Sequence, residues 1–352
     1  PRAPLRHAAV RHNPAPSSAP PLEFTDVATP EPGPHEVLLR VNICGICRTD
    51  LHIAEGDLPT RKKPLILGHE IVGVVDTVGD AVTRVRPGEL AGVTWLGQTC
   101  GKCRFCAEGR ENFCAGFQAT GWDLDGGFAE YVVAQEDAVF SLEGISLPKE
   151  ELAPLLCAGV AGYCAFRLLG VARGDSIGLY GFGPTAYYVL RVARHLGHEV
   201  YVSSRSERNL RRARRFGATW AGNAMEEEIP AELDAEIVFP PAGALVEPAL
   251  HNVRFGGVVV LAPVAMSTIK IQDYSIHFWG RDLRTIYNVN RQDAEEFLGL
   301  AREVDLGLGV EAFPFTELQE AMIRVREGEI QESNAVVRVT PETSPTPTRE
   351  GL

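Results

Sequence analysis

Between Ser176 and Leu261 the hydrophobic period keeps switching between two and 3.6 residues, and no other feature of this 352-residue chain limits its possible folds as much. Strand-like Ser176 to Tyr180, Glu199 to Ser203, Ala235 to Phe239 and Gly257 to Leu261 alternate with helical Thr185 to Leu196, Glu207 to Phe216 and Leu245 to Val253. Strands separated by single helices form βαβ units, so the pattern predicts an α/β class with a doubly wound parallel sheet.

The first strand-to-helix turn of that region is Gly181-Phe182-Gly183-Pro184-Thr185-Ala186, which fits the dinucleotide fingerprint Gly-x-Gly-x-x-Gly/Ala. The glycines permit a tight turn and close approach of backbone to a pyrophosphate, Pro184 suits a first helical turn, and the helix N-terminus attracts phosphate. About 20 residues further on, an NAD-binding chain usually carries an acidic residue that accepts the adenosine ribose hydroxyl. Here the sequence is Val202-Ser203-Ser204-Arg205-Ser206. Nothing in it repels a 2′-phosphate, and Ser204 with Arg205 offers charge-assisted hydrogen bonds to one. The expectation is NADP over NAD, with both accepted if Arg205 only stacks on adenine.

The first 150 residues are rich in Gly and Pro, with short β-branched runs at Glu36 to Ile43, Ile71 to Val78 and Ala129 to Val133, and predict a mainly β domain. Beyond Asn290, helical Asp293 to Glu303 and Thr316 to Glu327 and a closing strand at Asn334 to Val339 show no further βαβ pattern, and are expected to return to the first domain. The predicted division is residues 1–153 with 293–340, enclosing 154–292. Pro341 to Leu352, with three prolines and no apolar periodicity, is expected to be a disordered tail.

A net charge of −12, from 46 acidic and 34 basic residues, repels polyanions and argues against a nucleic-acid partner. The basic run Arg208 to Arg215 alternates with Leu210 and Ala213 at helical spacing and is expected to be a solvated helix face. No apolar run is long enough to span a bilayer and the N-terminal residues lack a signal-like apolar stretch, so no membrane role and a cytoplasmic location are expected.

Four of the eight cysteines, Cys100, Cys103, Cys106 and Cys114, lie in one short polar segment. One loop can bring four such sulfurs to a tetrahedral centre, and zinc suits four thiolates. Four protein ligands leave no open position, so the site would be structural. An iron–sulfur cluster is the rival occupant, but Lys102, Arg104 and Glu108 make the loop polar and no electron path is evident.

A second set is dispersed: Cys47 in Cys44-Gly-Ile-Cys-Arg-Thr-Asp-Leu-His52, His69 in Gly68-His69-Glu70, and Cys157 in Leu155-Leu-Cys-Ala-Gly159. Each alone reads as an ordinary packing residue. Together with the cysteine loop between the second and third, they resemble the zinc-containing alcohol dehydrogenases of the medium-chain dehydrogenase/reductase superfamily over Pro32 to Val339. Leu-Tyr-Gly-Phe-Gly and Leu-Leu-Cys-Ala-Gly are closest to its bacterial propanol-preferring type. The chain departs at Pro87-Gly-Glu-Leu-Ala and at Cys164, which puts subgroup details in doubt but leaves every proposed zinc ligand in place.

The resemblance implies a GroES-like mainly β catalytic domain beside a Rossmann coenzyme domain, and two zinc ions per chain. Cys47, His69 and Cys157 would hold the catalytic ion, with Glu70 as neighbour and occasional ligand and one position open for substrate. Thr49 and His52 would relay the alcohol proton outward. Asp50 would orient His69, and Arg48 would contact the pyrophosphate. Trp95 and Trp122 would wall the alcohol pocket, while Cys44 and Cys164 are expected to be packing residues. A small alcohol or aldehyde is the expected substrate, a cinnamyl-type aldehyde reductase the nearest alternative, and a catalytically silent zinc- and cofactor-binding protein the alternative of another class. A homodimer or homotetramer through edge strands such as Arg284 to Val289 is also expected.

Overall fold

The computed structural model describes residues 5–11, 22–59, 61–330 and 333–340. The expected tail from Pro341 onward lies outside them. The chain forms two compact units: Pro1–Gln98, Gln118–Glu143 and Val310–Leu352 make the first, and Thr99–Phe117 with Gly144–Gly309 the second. These boundaries differ from the sequence expectation at both ends, and the cysteine loop groups with the second unit rather than with the mainly β first one.

Among the described residues the first unit is built on a seven-stranded sheet. Its centre is the strand Glu36–Ile46, which pairs antiparallel with Glu70–Val78, Tyr131–Gln135 and Asn334–Arg338. Val37, Leu39, Val41 and Cys44 of this strand are fully buried beside Ile71, Phe128 and Val337, and this apolar burial is the main force that fixes the strand register. The structure corrects one expectation here. Val310–Pro314 pairs parallel with Asn334–Arg338 across the helix Leu318–Glu327, a further βαβ unit joined to the first sheet. In Val-Glu-Ala-Phe-Pro only Phe313 is well buried, so this sheet-edge strand has no apolar run to betray it.

The second unit carries a six-stranded parallel sheet in the order Trp220–Gly222, Glu199–Ser203, Ser176–Tyr180, Leu233–Val238, Val253–Leu261, Asp282–Thr285. The order reverses between Ser176–Tyr180 and Leu233–Val238, the switch point where open α/β sheets bind ligands. Helix Ala158–Leu169 lies close on helix Pro184–His195: a Cβ at Gly162 would stand 3.0 Å from the Thr185 carbonyl. The edge strand ends at Thr285, earlier than the expected Arg284 to Val289, and Asn288 has a left-handed φ of 54° before helix Arg291–Leu300.

The cysteine loop is fastened within this unit by its own Glu111 and Asn112 and by Asn288. Asn112 donates to the Tyr287 carbonyl at 2.8 Å, Asn288 donates to the Asn112 carbonyl at 3.4 Å, and Glu111 accepts the Arg291 N–H at 2.6 Å. No single helix among the described residues is long and apolar enough to cross a membrane.

Candidate metal centres and cofactor site

In the first unit, Cys47 caps the helix Arg48–Glu55, which buries Leu51, Ile53 and Ala54 and ends at Gly56, whose φ of 91° suits glycine. Asp50, at the third helical position, is fully buried and spends its carboxylate on three donors. They are the Cys47 N–H at 2.8 Å, the Gly68 N–H at 3.1 Å and His69 Nδ1 at 3.1 Å. The capping geometry of one helix thereby sets the position of Cys47, the chain path before His69 and the orientation of the His69 ring. With Nδ1 committed to Asp50, Nε2 is left buried without a hydrogen-bond partner.

An orphaned imidazole nitrogen is costly in a core unless something electrophilic takes it. The ligand atoms of Cys47, His69 and Glu70 lie within 4.8 Å of one another, the donor set of a soft divalent cation. Burial pulls the His69 imidazole down, but Asp50 and Cys47 outweigh it and hold the ring well above its ordinary value. A Cβ at Gly45, the strand partner of Glu70, would fall on the Glu70 carboxylate, so glycine there makes room for it. Cys157 is carried by the second unit, half-buried at the start of helix Ala158–Leu169.

Thr49 Oγ1 accepts the Cys47 thiol at 3.7 Å, and His52 Nδ1 pairs with Asp57 at 2.9 Å. Among the described residues no hydrogen bond joins Thr49 to His52. Arg48, expected on a pyrophosphate, donates instead to the Arg326 carbonyl at 3.1 Å. The Trp95 ring meets His69 edge to face at 5.1 Å and stacks with Trp122 at 5.8 Å, so the two tryptophans do form a continuous aromatic surface beginning at His69.

The ligand atoms of Cys100, Cys103, Cys106 and Cys114 also lie within 4.8 Å of one another. Tetrahedral bonds of about 2.3 Å to one ion would set sulfurs about 3.8 Å apart. The Cys103–Cys106 and Cys100–Cys106 sulfurs are already 3.5 and 4.0 Å apart. The backbone N–H groups of Lys102 and Cys103 draw the Cys100 thiol down to about 6, whereas desolvation lifts Cys106 to about 11. The loop thus favours one thiolate and resists the next, and a central cation is what would let all four ionise.

At the fingerprint, Gly181 has a φ of 83° and Gly183 is the N-cap of helix Pro184–His195, with nothing within 4 Å of where its Cβ would be. That open backbone and uncapped helix start suit a phosphate. Ala186 is fully buried and Phe182 is nearly so, with Arg212 5.9 Å over its ring. Pro184 and Thr185 begin the helix as expected. At the end of the next strand, Ser204 Oγ accepts the Ser206 N–H at 3.2 Å, and Arg205 is exposed.

Residues 33–144 match the family model of the alcohol dehydrogenase GroES-like domain and residues 184–303 that of the zinc-binding dehydrogenases. A Mycobacterium tuberculosis protein named probable alcohol dehydrogenase AdhA is 38% identical over 90% of this chain and 93% of its own length. The chain belongs to the zinc-type alcohol dehydrogenases of the medium-chain dehydrogenase/reductase superfamily. An alcohol dehydrogenase of Geobacillus stearothermophilus is 33% identical over 88% of this dehydrogenase and 94% of its own length. A cinnamyl alcohol dehydrogenase structure from Sorghum bicolor superimposes with a TM-score of 0.84 at 25% identity, covering 96% of this chain and 98% of that one.

Three residues that place groups in this dehydrogenase were missed in the sequence: Gly45, Asp57 and Arg61. Gly45 acts across a strand pair and Arg61 across a long loop, so no local spacing announces them. Asp57 could have been found, since an acidic residue one turn beyond a helix-borne histidine is a plausible partner for it.

Proposed function

We propose that this dehydrogenase is zinc-dependent and transfers hydride reversibly between a primary or small secondary alcohol and a nicotinamide cofactor, with NADP favoured over NAD. The observation that carries the reading is the buried, unpartnered His69 Nε2 beside Cys47, braced through Nδ1 by Asp50. Cys47, His69 and Cys157 would hold the catalytic ion, with Glu70 as neighbour and occasional ligand, and the four loop cysteines would hold a structural one. A zinc ion there supplies Lewis acidity that acidifies the alcohol hydroxyl in one direction and polarises the carbonyl in the other.

The protein's own groups do the rest. Thr49 accepts the alcohol proton as it gives up its own, and a bridging hydroxyl or water carries that proton to His52, whose side chain is 46% exposed and releases it to solvent. Asp57 holds His52 Nδ1 and so presents Nε2 for that exchange. The backbone from Gly181 to Ala186 receives the pyrophosphate, and by the family resemblance Arg48 would be its cationic contact. Ser204 and Arg205, with no carboxylate between them, accept a 2′-phosphate. A second reading, a reductase for cinnamyl-type aldehydes, is favoured by the Sorghum neighbour.

We also infer self-association through the edge strand Asp282–Thr285, flanked by the exposed Tyr287. A reducing, cytoplasmic setting fits eight cysteines without a disulfide.

Metal content per chain, measured together with NADP- and NAD-dependent oxidation of propanol and cinnamyl alcohol, tests the reading on wild type and Cys157→Ala. Two zinc ions falling to one, with activity lost and the fold kept, is the expected result. One zinc ion in the wild type, or activity surviving in the variant, overturns the assigned triad. Cofactor binding without turnover in the wild type would instead favour a silent binding protein.

A further inference from the structure

His69, Trp95, Trp122 and Arg61 form an unbroken row in the first unit. Beyond the His69–Trp95 and Trp95–Trp122 contacts, the Arg61 guanidinium carbon stands 3.9 Å from the centre of the Trp122 ring, well inside cation–π range. Arg61 is itself pinned. Its Nη1 reaches both Asp123 oxygens, at 3.2 and 3.5 Å, and Asp123 is nearly buried and also accepts the Ala119 N–H at 2.8 Å.

The neighbouring contacts join the same two segments. Trp122 Nε1 donates to the Pro59 carbonyl at 2.8 Å, and Lys62 pairs at 2.8 Å with Asp125, which accepts the Ile66 N–H. The side chains of Arg61 and Lys62 are 52% and 40% exposed, and both are ion-paired. What sets Arg61 apart is its contact with the ring, because a planar guanidinium over an indole is a role that lysine fills poorly.

We propose that Arg61 is a positioning residue that fixes Trp122 on Trp95 and so sets the size of alcohol accepted beside His69. The proposal rests on the reading of His69 as a ligand of the catalytic metal. With Trp122 held by a flat partner and a cationic one, the wall is stiff and favours a short alkyl chain. With the cation removed, Trp122 keeps only its stack on Trp95 and its hydrogen bond to the Pro59 carbonyl, so the wall yields more readily to a long flat substrate and grips a short one less well.

Tryptophan quenching by acrylamide, and KM and kcat for propanol and cinnamyl alcohol, would be measured on the holoenzyme as wild type, Arg61→Ala and Arg61→Lys. Quenching in Arg61→Ala should rise about twofold. Its KM for propanol should rise about two- to fivefold with kcat little changed, the range an exposed cation–π contact supports, while KM for cinnamyl alcohol falls. Arg61→Lys, which keeps charge without the plane, should lie between, and it carries the test if circular dichroism shows the alanine variant unfolded. Unchanged quenching and unchanged KM overturn the proposal. A wild type that oxidises neither alcohol overturns the underlying reading of the site, and quenching then still decides whether Arg61 holds Trp122.

Discussion

The two clusters of metal-binding groups are built in opposite ways. The cysteine loop draws four ligands from one short polar segment, and Cys100 is exposed while Cys103 and Cys106 are only half-buried. The Cys47–His69 set takes one ligand from a helix cap and another from the start of a strand. Its histidine is 1% exposed, and a fully buried Asp50 aims it. The loop has no core of its own, and four protein ligands would fill the coordination sphere, so a metal there would be worth stability. The second site is already held by its surroundings and keeps a nitrogen without a partner, so a metal there would be worth chemistry.

The widest separation is expected from one substitution in each. Cys103→Ala should lower the thermal midpoint by roughly 10 °C, since a structural ion contributes folding energy directly. Cys47→Ala should reduce kcat/KM by roughly a thousandfold or more while moving the midpoint only a few degrees, because several kcal/mol of Lewis-acid stabilisation are lost with little change in the core. Calorimetry and steady-state kinetics on both variants check this. Equal effects on both readouts would mean that the two centres are not divided between stability and reaction.

The same contrast explains what could be read in advance. The four cysteines and the Gly181 fingerprint are contiguous, so spacing alone exposes them and their chemistry. Cys47, His69 and Cys157 are each commonplace and became legible only as an ordered set. Asp50 was named through the resemblance, but its three-way hydrogen bonding depends on the strand and helix meeting and is invisible in sequence. Arg61 was lost for the same reason. The strand Val310–Pro314 was missed because one well-buried phenylalanine does not make a pattern, and the helix Ala158–Leu169 because an apolar stretch without polar alternation shows no period.

Buried carboxylates sharpen the comparison between units. Asp50 has three donors, whereas Glu236, fully buried in the strand Leu233–Val238, has Asn252 at 3.5 Å on one oxygen and no partner on the other. Burial pushes the Glu236 carboxyl well above the usual 4.5, with Asn252 pulling weakly the other way. The folded state therefore holds a proton that the unfolded chain gives up. The associated stability is complete below 4.5 and is lost as pH rises through the folded value. Glu236→Gln removes this slope, so its thermal midpoint should gain on the wild type as pH rises, by roughly 2–4 °C at pH 8. A gain at pH 4 that vanishes at pH 8 would reverse the assignment.

The smallest effect concerns how the cysteine loop is docked. Glu111 is 3% exposed and accepts the Arg291 N–H at the start of helix Arg291–Leu300, where the helix dipole favours negative charge. Glu111→Gln keeps an acceptor and loses the charge, at a cost of about 1 kcal/mol, a fall of roughly 2–3 °C in a chain of this size. Glu111→Ala removes the acceptor of the Arg291 N–H altogether and should cost about twice as much. Zinc content decides what the fall means. If the structural ion is retained in both variants, the thiolates hold the loop by themselves and the docking contacts only attach it to the coenzyme unit. If it is released, docking and metal binding are one cooperative event, and the loop is less independent of its surroundings than its compact spacing in sequence implies.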